Sequence, residues 1–446
     1  MFAALLSVCT GFVLNCVQSI LNVTTVGTGY VDDVTLGVTV HREQKQTENS
    51  VFRLIKFMKQ LWEQLIFITC GRLELSKCYW VPIVWIWKKG KPKLKTKIGR
   101  NRDLFIRESE SKELVRIPRK TGRDSDKRLG VFTSCNGDWT KEYKRWKQFS
   151  IDFSHQLRKS KLGRIAGHTA YQSMWLAKFR YMAAVVGFTP PQVNQIQKKI
   201  TSSCLSVGGY CSILPRAVVF GPTEYGGMAW DSIIAILIFE KIKFLIGSIR
   251  LQDKVGKMMQ IHLTWIQIFA GCSWPILKAN KLVTYLPPGW VMVLHQYLVQ
   301  YQIQVEVWGL WTPSPRREND RVIMDIVQQQ IPSWAWGGGG INRCRLFLNA
   351  NTLADLTTLD GTYIPEKVRQ VTDKLRNNKL LFPIQIKPPM EDVQKWQFFI
   401  DLISHNGHVH VPLGDWIRFP DQDFKFMRDA QNNVVFKTEG YVLGNI

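Results

Sequence analysis

The stretch NVTTVGTGYVDDVTLGVT, residues 23–40, constrains the fold more than any other part of the chain. Valine and threonine branch at Cβ and favour extended backbone. Two such runs broken by one acidic dipeptide, Asp32-Asp33, predict a β-hairpin with the carboxylates at or next to its turn. The period then changes. From about 43 to 69, Val51, Leu54 or Ile55, Met58, Leu61 or Trp62, Leu65 and Ile68 recur at helical spacing, and Gly71 is placed to end the helix. The Val51/Met58/Leu65 face of that helix is expected to pack on the hairpin.

Two short strands are expected next, RLEL (72–75) and YWVPIVWIW (79–87). Pro82 confines the second to a sheet edge or a bulge. Residues 88–128 then concentrate charge, with 16 Lys+Arg against 6 Asp+Glu, so they supply +10 of the net +24. They open as KKGKPKLKTKIGRNR and continue polar and turn-rich. RLGVFTS (128–134) reads as a strand before the turn Asn136-Gly137. Helical sequence runs from about Lys141 to Val186, carrying Lys141, Lys144, Arg145, Lys147, Arg158, Lys159, Lys161 and Arg164. Thr189-Pro190-Pro191 opens another helix, 214–227 reads as loop and strand, 231–250 as helix, and 341–356 as helix-like. The fold class that follows is α+β. It divides into a mixed unit over 1–135, a mostly helical region over 136–285 and a mixed C-terminal extension over 286–446, which begins near Leu286-Pro287-Pro288-Gly289.

The excess of 59 Lys+Arg over 35 Asp+Glu points to a polyanionic partner, nucleic acid before an acidic membrane. Nine cysteines without a CxxC pair fit neither a zinc cluster nor a disulfide framework, and read as reduced thiols of an intracellular protein, cytoplasmic or nuclear. No charged side chain precedes Asp32. The run MFAALLSVCTGFVLNCVQSIL lacks a basic n-region and a small-x-small cleavage site, and Asn15, Gln18 and Asn22 interrupt it as a membrane span. A buried helix and strand of a larger domain account for it better. A membrane anchor at 1–22 is the alternative.

Tyr30-Val31-Asp32-Asp33 carries the chemistry. Adjacent carboxylates at a tight turn repel one another unless a divalent cation sits against them, and magnesium prefers such hard oxygen ligands. Phosphoryl transfer onto a 3′-hydroxyl uses two such ions. An isolated Asp pair in a turn is usually a solvated cap or loop pair, so order and context decide. GYVDDVTL resembles the palm hairpin of reverse transcriptases from retroelements and retrotransposons. QLWEQLIFITCGRLELSKCYW (60–80) is similar to the Leu/Trp-rich helix and lysine strand that follow it, with Cys70-Gly71 where the family has a glycine pair. Arg128-Leu129-Gly130-Val131 resembles the short strand at the primer end. LPRAVVFGPTEYGGMAW (214–230) and INRCRLFLNANTLADLT (341–357) continue the likeness more weakly.

The resemblance implies a partial palm, an antiparallel sheet with a packed helix, followed by a thumb-like helical region. It implies RNA-directed DNA synthesis with Mg2+ or Mn2+ held by Asp32 and Asp33, a deoxynucleoside triphosphate as substrate, and Lys77 near its phosphates as proton donor to pyrophosphate. A primer–template would lie, without regard to sequence, along Lys88, Lys89, Lys91, Lys93, Lys95, Lys97, Arg100, Arg102, Arg128, Lys144 and Arg145. Trp85, Trp87, Tyr143 and Trp146 either stack on bases or fill the core. The family's first metal-binding aspartate, fingers and sugar-selecting helix lie upstream of the Asp-Asp hairpin, and this chain has no Asp or Glu before Asp32. It is therefore expected to be truncated at its start and inactive by itself. A non-catalytic nucleic-acid-binding protein is the other reading. His405, His408, His410 and Asp415 read as polar residues around a turn before a metal site, and Gly337, Gly338, Gly339 and Gly340 as a linker.

Overall fold

The computed structural model describes residues 24–30, 33–39, 48–68, 74–75, 78–83, 85–88, 91–94, 103–108, 113–331, 339–375, 386–417, 425–428, 434–438 and 441–443. They form an α+β protein, mostly helical, with small antiparallel sheets. Chain contacts divide it into two compact units, one made of 1–86 and 94–124, the other of 87–93 and 125–446.

The first unit opens on the expected hairpin. Strands β1 (Thr24–Tyr30) and β2 (Asp33–Thr39) pair antiparallel from Thr24↔Thr39 to Tyr30↔Asp33. Helix α1 (Glu48–Ile68) lies against β2. Leu54, Met58 and Trp62 are buried at i, i+4, i+8, one stripe of a 3.6-residue helix; Val51 and Leu65 have side chains outside the described residues.

A second stripe, Phe52 and Ile55, packs on the buried Leu104, Ile106 and Ile117 together with Leu75, Cys78 and Trp80. Those three core residues come from one face of a hairpin the sequence had not marked, and the polar, turn-rich reading of that stretch gives way there to paired strands. Trp85–Lys88 (β3) and Lys91–Leu94 (β4) form one two-stranded sheet, and Leu104–Arg107 (β5) and Leu114–Ile117 (β6) another. The Arg107 amide donates to Glu63 of α1 at 2.6 Å, closing the open edge of β5. No strand forms over 78–83. Only Trp80 bridges, to Arg119, and Pro82, without an N–H, cannot extend a ladder.

The longer segment of the second unit, 125–446, begins with hairpin β7 (Ser125–Arg128) and β8 (Val131–Ser134). The sequence 128–134 is thus not one strand. Leu129 and Gly130 both take left-handed backbone, φ 47° and 83°, and make the two-residue turn between strands. Helices α2 (Thr140–Lys159), α3 (Arg164–Ala170), α4 (Ala177–Ala183) and α5 (Pro190–Val207) follow. A π-helical segment, Tyr171–Leu176, joins α3 to α4. It lines up Tyr171, Trp175 and Phe179 as a stack with centroids 5.9 and 5.6 Å apart, and Trp146 of α2 meets Trp175 edge-on at 5.8 Å. Thr189 caps α5 in a capping box with Gln192, as the Thr-Pro-Pro signal predicts.

Helices α6 (Ile233–Leu251), α7 (Lys254–Ala270) and α8 (Trp290–Gln300) lead into the last region. Helix α8 joins two apolar clusters, with Val293 and Tyr297 in the one built on α2 to α6 and Val291, Leu294 and Leu298 in the one that continues to Ile400. Helix α9 (Ile323–Gln330), helix α10 (Gly340–Leu348) and helix α11 (Met390–Ile403) complete that second cluster. The helix expected over 341–356 ends at Leu348, because Asn349 turns left-handed at φ 56° and Thr352 starts a new capped turn with Asp355. Strands β9 (Ser404–His405) and β10 (His408–Val409) form a tight hairpin, and β11 (Lys425–Arg428), β12 (Val434–Thr438) and β13 (Tyr441–Leu443) a three-stranded sheet.

Candidate nucleic-acid interface

In a hairpin closed by a two-residue turn, the pair flanking the turn exchanges hydrogen bonds and the next pair points its amides outward. Here Arg128↔Val131 flanks the turn and Lys127↔Phe132 follows, so the Phe132 N–H faces an open edge. Glu142, in the first turn of α2 and fully buried, accepts it at 2.9 Å. The same carboxylate accepts from Trp146 Nε1 at 2.8 Å and Arg145 Nε at 3.0 Å, and is ion-paired to the second guanidinium nitrogen of Arg145. Lys141 Nζ donates to the Ser125 carbonyl at 2.9 Å and stands 4.3 Å from the centre of the Phe132 ring. From α4, Tyr181 Oη donates to the Leu129 carbonyl at 2.8 Å. Helices thus hold the hairpin at its base, its open edge and its turn.

Helix α2 buries Glu142, Trp146, Ser150, Phe153, Ser154 and Leu157 along one side. Its other side exposes Lys141, Lys144, Lys147, Arg158 and Lys159, followed by Lys161 in the next turn. Asp152 is the one exposed acid on this helix. These cations fall in two groups at the ends of the helix, Lys141 to Lys147 and Arg158 to Lys161, and twenty residues at 1.5 Å rise span ~30 Å between its ends. Arg164 is turned back, donating to the Gly208 carbonyl at 2.9 Å and lying over Tyr210 at 4.4 Å. A helix face with these cations and one exposed acid attracts polyanions.

The residues singled out from sequence separate into groups. Lys144 lies on this face of α2 and Arg128 is exposed at the end of β7. Arg145 is ion-paired with Glu142, which occupies much of its charge. Trp146 is buried and Tyr143 packs edge-on against Phe188 while its hydroxyl donates to Gln195 at 2.6 Å, so both serve the fold. Lys88 ends β3, and Lys91 and Lys93 lie on β4. Asp33 is the first residue of β2 and pairs with Tyr30. Asp32, Lys77, Lys89, Lys95, Lys97, Arg100 and Arg102 lie outside the described residues, as do Gly337 and Gly338.

Glu142 was not singled out from sequence. A Glu three residues before an Arg reads as a surface pair, and only the incoming edge of β8 shows otherwise. His405 and His408 are cross-strand partners around Asn406-Gly407, both left-handed, and His405, His408 and His410 are all exposed, a polar turn as expected. Among the described residues no group of three or more His, Cys, Asp or Glu comes together as a metal site, and no helix is long and apolar enough to cross a membrane. No family model matches the chain, and neither a curated protein nor a solved structure is significantly similar to it.

Proposed function

We propose that this chain is a reverse transcriptase-like retroelement protein, the part of an RNA-directed DNA polymerase that carries the Asp-Asp hairpin and binds primer–template. The observation that carries the reading is the register of β1 and β2. Tyr30 pairs with Asp33, so the motif Tyr30-Val31-Asp32-Asp33 spans the connection between two strands, and a long helix packed on β2 follows. That placement suits two carboxylates meant for Mg2+ or Mn2+ and a triphosphate. The duplex would be gripped without sequence preference by the lysine-rich strands β3 and β4, by Arg128 and by the basic face of α2, and Lys77 would serve the leaving pyrophosphate. The protein would work inside the cell, where its template is.

A polypeptide of these 446 residues has no acidic residue ahead of Asp32, and two ions ~3.5–4 Å apart need a further bridging carboxylate. The test is primer extension on an RNA template by a chimera that supplies an upstream palm and fingers segment from a retroelement polymerase. Extension is expected from the chimera, none from the chimera carrying Asp32→Asn, and none from the unmodified chain even with manganese. A chimera that binds duplex but extends equally well with Asp32→Asn refutes the metal role. Duplex binding without extension by any chimera favours the non-catalytic reading, for which the basic face of α2 alone suffices.

A further inference from the structure

The β7–β8 hairpin has little of its own to hold it. A lone two-stranded hairpin is marginal in water, and of its eight strand residues only Val131 is buried. Its placement therefore depends on what it touches, and the contact made by its open edge is the carboxylate of Glu142. We propose that Glu142 is a positioning residue for a nucleic-acid duplex. It fixes the hairpin on α2 so that the exposed Lys127, which shares a face of the hairpin with Phe132 and hence with Lys141, joins Lys141, Lys144 and Lys147 in one rigid array of cations for the phosphate backbone. The proposal rests on the nucleic-acid reading above and adds to it the residue that assembles the track.

The chemistry of the site supports this role. Four N–H groups converge on Glu142, from Phe132, from Trp146 and twice from Arg145. A carboxylate accepts from all four, and no other side chain of its size is acceptor-only. A buried ion pair is a weak stabiliser in itself, so what Glu142–Arg145 contributes above all is direction. Lys141 uses one donor on Ser125 and keeps its ammonium at the junction of hairpin and helix, over Phe132. Cations held in place before the duplex arrives lose less freedom on binding than cations on a swinging hairpin.

The test is the salt dependence of binding, in the full chain, to a fluorescently labelled RNA–DNA hybrid duplex. Glu142→Gln keeps the size of the side chain but turns an NH2 group on at least one of the four donors, which frees the edge of β8. The expected result is a log–log salt slope reduced by about 1, the loss of one phosphate contact, although no cation has been removed. In a Lys127→Ala background, Glu142→Gln should change the slope no further. Tyr181→Phe, which unties the Leu129 carbonyl without touching a charge, should shift the slope in the same direction and decides the matter if Glu142→Gln does not fold. A slope unchanged in folded Glu142→Gln or Tyr181→Phe, or an effect that adds to that of Lys127→Ala, overturns the proposal while leaving duplex binding intact. A wild-type chain that binds the hybrid with no salt dependence overturns the nucleic-acid reading itself and this proposal with it.

Discussion

Lys241 sits in the middle of α6 with no surface exposed and no hydrogen-bond partner for its amine, 4.5 Å from the centre of the Trp290 ring. The nearest acid in sequence, Glu240, is engaged with Arg180 at 3.9 Å. Burial pulls the amine from its usual 10.5 down to about 7. At about 1.4 kcal/mol per tenfold, that gap is worth roughly 5 kcal/mol. Attraction to the Trp290 face returns about 2 kcal/mol to the charged form, so desolvation wins by about 3 kcal/mol. The sign follows from proton counts. Between the lowered folded-state value, which the attraction to Trp290 moves part of the way back up, and 10.5 the unfolded chain binds the proton and the folded chain does not, so stability falls as pH drops through this window and is flat below it. Lys241→Met keeps an unbranched chain of similar length and removes the amine. It should stabilise the protein by about 3 kcal/mol in urea unfolding at pH 7, followed by tryptophan emission, with the gain shrinking steadily toward pH 10. A gain of the same size at pH 7 and at pH 10, or a loss at both, refutes the argument that an uncompensated charge is buried there.

Two further perturbations are read just as directly. Binding to duplex should fall with salt at a log–log slope of roughly −4 to −8, and neutralising Lys88, Lys89, Lys91, Lys93, Lys95 and Lys97 together should flatten it with sequence preference unchanged; fluorescence anisotropy over a salt series on two unrelated duplexes measures both. Leu129 holds φ 47° with its side chain half exposed, a conformation that costs an ordinary residue about 1 kcal/mol. Leu129→Asn should therefore raise the urea midpoint by an amount near that figure, and a lowered midpoint would show that the leucine side chain has a packing role.

What the sequence reveals here is what is local. The Val/Thr runs of β1 and β2, the cap at Thr189 and the helical period of α1 are set by residues within a few positions of each other, and each element stands where those signals put it. Errors arise where one residue takes an uncommon backbone. Leucine rarely turns left-handed, so Arg-Leu-Gly-Val reads as continuous strand, yet Leu129 makes the turn. Asn349 ends a helix whose apolar spacing continues past it. The hairpin β5–β6 is hidden for another reason. Its strands have four residues each, too few for alternation to show among so many charges, and they gain their buried face from α1.

Two of the buried charged residues, Lys241 and Glu142, show why a site is harder to read than a fold. In IFEKIKF, the pattern assigns Phe239 to the core and Lys241 to water, but Phe239 is 61% exposed and Lys241 is fully buried. In TKEYKRW, Glu142 reads as one more surface partner of Arg145, but it is sealed beneath a strand edge. Neither assignment follows from period or propensity, since both depend on which neighbour arrives from elsewhere in the chain. Burial does not tell the two apart either, because both are complete. The difference is in the number of partners. Glu142 faces four donors and so defines a direction for everything attached to it, whereas the amine of Lys241 faces none and leaves the fold sensitive to pH. A buried charge in this protein is therefore a geometric device where its hydrogen bonds are complete and a source of instability where they are not.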